Sequence, residues 1–165
     1  RREDYVEVDP RFGHDLSFPY LMVQHGKRAV YDADANAYEK ATPTNEDEFR
    51  RKVRMFEHCW AIVLEGRMLR RLRPLYFVEV VSHRHLRYAS GLLHILLLAS
   101  SILLVGHGAF YAVALGLQLG ILAAALFGAG LPRYYVLITW ATVVSLWNYV
   151  RRGVPTTWTA AEGTR

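Results

Sequence analysis

The sequence predicts an α-helical membrane region of about three apolar helices behind a polar N-terminal half. Residues 88–132 form a run of 45 without Asp, Glu, Lys or Arg, residues 134–150 form a second such run, and nearly every acid lies before residue 80. A soluble domain of this size needs charge on the outer faces of its helices, and the second half has none to offer. A bilayer core about 30 Å thick takes roughly 20 apolar residues as helix. The longer run would make a rod of about 67 Å at 1.5 Å per residue, so it must fold back.

The break is expected at Gly106-His107-Gly108, leaving residues 89–105 and 109–131 as two spans. Residues 134–150 are a third, shorter and more polar candidate, with Trp140, Trp147 and Tyr149 suited to an interfacial belt. Arg70, Arg71, Arg73, Arg84 and Arg87 crowd the approach to the first span. By the positive-inside rule they put the polar half in the cytosol of a multi-pass cell-membrane protein. Three full spans would carry Arg151 and Arg152 to the far side, so either the rule is overridden or one segment is re-entrant or interfacial.

The chain divides into a polar part (1–64), a basic linker with an interfacial segment (65–87), the apolar region (88–150) and a tail (151–165). The single cysteine, Cys59, makes no internal disulfide. No secretory signal pattern is read, and a first residue of Arg1 leads us to expect a fragment or a processed product. The net charge of +5 suits contact with anionic lipid or with phosphates. The bilayer-length segments argue against nucleic acid as the partner.

In the polar part, Asp15 is expected to cap a helix over residues 16–25, with Pro19 near its first turn and Gly26 as its stop. Residues 27–31 and 36–39 read as short extended segments. Thr42-Pro43-Thr44-Asn45 turns into a helix over residues 46–64, with Asn45 and Glu48 spaced like a capping box. Phe49, Val53, Phe56 and Trp60 form its buried stripe, and Arg50, Arg51 and Arg54 lie together elsewhere on it. Residues 75–87 suit an amphipathic helix at the membrane surface, although Tyr76-Phe77-Val78 could equally start a strand.

Three groups could carry chemistry. A carboxylate at a helix start, Asp15, could be a general base, although Asp is also commonplace as a helix cap. Arginine forks bind diphosphate oxygens in bidentate fashion, so Arg51 and Arg54 could hold a diphosphate, or form a solvated basic face. His83, His85, His94 and His107 lack the carboxylates and spacing of a metal site and suit positions near the interface.

Taken in order, these pieces resemble the C-terminal half of a membrane-bound family-2 glycosyltransferase, of the cellulose- and hyaluronan-synthase-like group that includes bacterial polysaccharide transferases. The resemblance rests on Gly13-His14-Asp15-Leu16-Ser17-Phe18-Pro19, on Gly26-Lys27-Arg28-Ala29-Val30-Tyr31, on residues 35–39, and on Phe49-Arg50-Arg51-Lys52-Val53-Arg54-Met55. Ser82-His83-Arg84-His85-Leu86-Arg87 and the ending with Trp158 and Gly163-Thr164-Arg165 are also similar to members of the group.

The resemblance implies that residues 1–64 are the C-terminal part of an α/β GT-A catalytic domain. It implies that Asp15 is the catalytic base. Arg51, Arg54 and Met55 occupy the Gln, Arg and Trp positions of a Gln-x-x-Arg-Trp signature that contacts the donor diphosphate and the acceptor. His14 stands where the family has Glu or Asp, and Arg51 and Met55 also depart from the signature, which fits addition of one or a few sugars better than processive polymerisation. The implied partners are a nucleotide-diphospho-sugar donor, a lipid-linked or polysaccharide acceptor, and membrane lipids. A divalent metal, Mg or Mn, is expected on ligands upstream of this chain, together with the nucleotide-sugar half, so the chain alone is expected to be inactive. The competing readings are a non-enzymatic membrane anchor or scaffold with a basic lipid-binding interface, and a transporter. The latter is disfavoured because the spans hold no ionisable Asp, Glu, Lys or Arg.

Overall fold

The computed structural model describes residues 5–28, 30–38, 44–65, 67–70, 72–128 and 130–154, and every regular element among them is helical. The expected α/β part is therefore absent from the described residues. Residues 30–38 form no ladder; Asp32 instead accepts the Asp34 N–H at 3.0 Å in a local turn. Residues 29 and 39–43 and the tail from 155 onward, with Trp158, lie outside the described residues.

Helix α1 (His14–Gln24) starts one residue before the expected cap. Gly13, at φ 66°, ends a 3-10 turn over Pro10–Phe12 and offers its carbonyl to the Ser17 hydroxyl at 2.9 Å. Asp15 thus sits inside the first turn and makes no cap bond. The stop at Gly26 is as expected. Its φ of 72° lets Lys27 N–H reach Met22 O at 2.9 Å and Gly26 N–H reach Val23 O at 3.0 Å, a Schellman closure.

Helix α2 (Asn45–Leu64) is capped by Thr44, not Asn45. The extended backbone of Thr44 lets its Oγ1 accept the Asp47 N–H at 3.1 Å, while its hydroxyl donates to the Asp47 carboxylate at 2.6 Å. Glu46, Asp47 and Glu48 in the first turn complement the helix dipole. Val53 and Trp60 of the predicted stripe are buried and Phe49 and Phe56 half-buried.

The linker is more than a basic tether. It makes a 3-10 turn over Arg67–Leu69, and its Met68 is buried with Tyr20, Ile62 and Val80, packing α1 onto α2. Helix α3 (Pro74–Val80) then passes through a π-turn (Val81–His85) into α4 (Leu86–Tyr88), so Tyr76-Phe77-Val78 is helical and not a strand. Pro74 opens α3, where its missing N–H costs nothing.

Helices α5 (Ser90–Leu104) and α6 (Ala109–Leu126) form a hairpin closed by a 3-10 turn over Val105–His107. Gly108, at φ 152° and ψ 159°, takes a backbone conformation open essentially to glycine alone. Ser90–His107 and Ala109–Leu126 are each long and apolar enough to cross a membrane. They are not the core of a soluble domain: α6 buries no residue, and α5 buries only Gly91 and Ser101. So large an apolar face in water would be an aggregation liability.

Of the about three apolar helices expected, two are long and apolar enough to cross a membrane. Helix α7 (Gly130–Arg152) is long enough, but it carries Arg133, Arg151 and Arg152 and uses Ala141, Thr142 and Ser145 to pack against its neighbours. Tyr135 meets His94 while Thr142 meets Gly91, so later residues of α7 meet earlier residues of α5. Seven residues of α7 span about 10 Å, against about 4.5 Å for the three residues of α5. Helix α7 therefore crosses the base of the hairpin at a steep angle, and its C-terminal half lies on α2.

Gly91 makes this crossing possible. A Cβ there would stand 2.5 Å from Thr139 O, Thr142 Oγ1 and Val143 Cγ2. We predict that Gly91→Leu destabilises the fold by at least the about 1–3 kcal/mol typical of overpacking, read as a lowered tryptophan-fluorescence melting midpoint in detergent. An unchanged midpoint would show that α5 and α7 do not approach at Gly91.

Candidate functional site

The N-terminal turn of α1 presents a carboxylate and an imidazole together. The His14 ring stacks on Phe18 at 5.1 Å and on Tyr5 at 5.8 Å, and its Nε2 lies 3.1 Å from the Tyr5 hydroxyl. These contacts hold the ring so that Nδ1 stands 3.8 Å from Asp15 Oδ1. The Asp15 side chain itself is fully exposed. A carboxylate standing in solvent at the lip of a fixed helix can receive a proton from an incoming hydroxyl.

Helix α1 is braced from behind. Arg84, in the π-turn, donates to Tyr20 Oη at 3.2 Å and to Leu16 O at 3.5 Å, with its guanidinium over the Tyr20 ring at 5.2 Å. Gly13 packs against the His58 ring of α2, and His58 Nδ1 lies 2.8 Å from Arg11 O. Arg54 lies one turn before His58 on the same face of α2.

The arginines differ in their engagement. Arg51 grips Glu48 through two bonds, of 3.0 and 3.2 Å, and Arg50 pairs with Glu46 at 2.7 Å. Lys52 also reaches Glu48, at 3.4 Å. Arg54 is half-buried, and Met55 is exposed. The like-charge crowding visible in the sequence is thus relieved by acids one turn earlier.

Two buried polar groups were not singled out from the sequence. Glu57, buried on α2, accepts from Asn148 Nδ2 at 2.8 Å and from Arg152 Nη2 at 3.2 Å, both on α7. The available signal was an acid inside an otherwise apolar helix face. Cys59 and Tyr88 are buried together with Trp60 in a second cluster. Burial pushes the Cys59 thiol up to about 11, and burial followed by the Cys59 charge raises the Tyr88 hydroxyl as well. Burial and the neighbouring Arg84 charge hold the His85 imidazole below its ordinary value.

No group of three or more His, Cys, Asp or Glu able to hold a metal occurs among the described residues. Comparisons with protein-family models, with curated proteins and with solved structures return no match.

Two outcomes follow from the buried groups. The unfolded Cys59 ionises near pH 9 while the folded thiol stays neutral to about 11, so the native state holds more protons in that interval and loses stability as pH rises. Melting midpoints should fall as pH rises from 9.0 to about 11, and Cys59→Ala should reduce the fall, leaving the part due to Tyr88. Glu57→Ala should cost about 1–3 kcal/mol by leaving the half-buried Asn148 amide without its acceptor, and Arg152→Ala should also destabilise, because it leaves the buried Glu57 carboxylate without its cation. Equal midpoints for both variants and the unchanged chain would remove Glu57 as the tie between α2 and α7.

Proposed function

We propose that this chain is the membrane-anchored C-terminal portion of an inverting family-2 glycosyltransferase, moving a sugar from a nucleotide-diphospho-sugar to a lipid-linked or polysaccharide acceptor. The observation that carries the reading is Asp15: an exposed carboxylate in the first turn of a helix braced from behind by Arg84. In the reaction the Asp15 carboxylate takes the proton of an acceptor hydroxyl. The acceptor oxygen bonds to the anomeric carbon from the face opposite the leaving group. The bond from that carbon to the diphosphate oxygen breaks, and the nucleoside diphosphate departs with the electron pair. Arg54, with Arg51 if it releases Glu48, would offset the charge gathering on the diphosphate, a stabilisation that is commonly a large catalytic contribution. His14, fixed by Tyr5 and Phe18, replaces a second acid beside the base and limits repulsion of the anionic donor.

The same reading places α5 and α6 across the cell membrane, with the polar half in the cytosol. Two crossings return the chain to its starting side. Arg84 and Arg87 before the hairpin, and Arg133, Arg151 and Arg152 after it, then share one face, while the tip at Gly106-His107-Gly108 carries no Lys or Arg. That distribution satisfies the positive-inside rule, which three spans would violate.

The test uses the full-length enzyme in membranes with labelled nucleotide-sugars. Asp15→Asn should lower turnover by about 10²–10⁴-fold, the usual contribution of a general base, with donor affinity unchanged. Arg54→Ala should weaken nucleoside-diphosphate binding by roughly tenfold, the loss of one charge-assisted bond, by isothermal titration. Near-normal turnover of Asp15→Asn would overturn the assignment of the base. Absence of any donor turnover by the full-length protein would leave the scaffold reading in its place.

A further inference from the structure

Between α5, α6 and α7 lies a cavity of about 300 Å³ whose wall is almost wholly apolar, with Leu98, Leu117, Ile121 and Val136 among its lining. The polar groups at its edge are satisfied among themselves. His94 Nδ1 donates to Ser90 O at 2.7 Å, so its Nε2 is the acceptor for the Tyr135 hydroxyl. Gln118 donates to Ser101 Oγ and to Ala114 O, each at 3.0 Å. A dry cavity of this kind takes hydrocarbon and not water. Its volume is at the lower end of ligand sites, roughly 300–1,000 Å³, and it is too small for a helix about 10 Å across. A second copy or a partner helix is therefore a poor occupant, and a single acyl-type chain is a good one.

The charge beside the cavity selects among lipids. Arg87 stands one turn before Gly91, and Arg133 three residues before Val136, both of which line it. Residues 80–161 contain no Asp or Glu, so this half of the chain supplies no carboxylate of its own to neutralise those guanidiniums. Arginine forks match phosphate oxygens. We infer that the cavity is a binding site for one hydrocarbon chain of a phosphate-bearing anionic lipid, with the phosphate held by Arg87 and Arg133 at the base of the hairpin. The inference rests on the hairpin lying in a bilayer and is independent of the transferase chemistry, so either can fail alone.

The experiment reconstitutes the full chain in phosphatidylcholine vesicles doped with phosphatidylglycerol carrying a photoreactive diazirine in one acyl chain. Irradiation is followed by peptide mapping, with diazirine-phosphatidylcholine as the matched neutral probe. Labelling should concentrate on the cavity-facing residues of α5, α6 and α7. The anionic probe should be preferred by roughly tenfold, as two arginines near the membrane surface would give. Ile121→Trp or Val136→Trp, with the melting midpoint retained, should reduce cavity labelling to the level of the outer hairpin faces. Arg87→Gln with Arg133→Gln should abolish the headgroup preference while keeping the chain labelled. Uniform labelling around the hairpin, labelling indifferent to both tryptophan variants, or equal labelling by the two probes would overturn the site.

Discussion

Trp60 donates its indole N–H to the main-chain carbonyl of Thr142 at 3.0 Å, in the buried contact between α2 and α7. A buried indole requires an acceptor, and a helix carbonyl has a second lone pair to give. The same residue accepts the Gly91 N–H on its hydroxyl at 3.2 Å and takes the Ser145 hydroxyl on its carbonyl at 2.8 Å. One turn of α7 therefore joins the polar helix α2 to the first turn of the apolar hairpin. Trp60 and Thr142 are both buried, so their bond is made where water cannot substitute for it.

Around this joint the polar network and the apolar cores do different work. Met68 and Tyr20 bring the linker and α1 onto α2, while Trp60, Cys59 and Tyr88 fasten α2 to the start of the apolar hairpin. Glu57 then fixes the register of α7 through Asn148 and Arg152, and Glu65 adds the Tyr149 hydroxyl at 3.3 Å. Hydrophobic burial is tolerant of small slips along a helix, whereas a buried carboxylate with two named donors is not. The acids of α2 and its C-cap thus divide their roles along the helix: Glu46 and Glu48 near its start relieve the arginines, and Glu57 and Glu65 near its end hold the neighbouring helix.

Much of this was legible from residues alone, for reasons that can be named. Charge-free runs bounded by glycine fixed the hairpin and its turn, because bilayer length and the freedom of Gly108 are local properties. The stop at Gly26 and the stripe through Val53 and Trp60 were equally local. The start of α1 was misjudged because Gly13 at positive φ competes with Asp15 for the first turn, and the start of α2 because Thr44 competes with Asn45. The role of α7 was hidden because its small residues, Ala141, Thr142 and Ser145, signal close packing only once a partner is known. At the site, a carboxylate near a helix start and an arginine segment could be read from the sequence. The bracing of α1 by Arg84 depends on contacts more than sixty residues apart in the chain and could not.

The π-turn at Val81–His85 ties these levels together. It adds a residue to the helical path between α3 and α4, and such bulges swing a side chain out of the ordinary helix register. Here the side chain at issue is Arg84, which reaches Tyr20 and the carbonyl of Leu16, the residue after Asp15. Five residues further on the chain enters α5, so the distance from hairpin to α1 is set by one short rigid segment. A chain held in this way cannot shift its polar face relative to the hairpin without breaking the Arg84 bonds or unwinding the bulge. The position of α1 relative to the hairpin base is thereby a property of the fold.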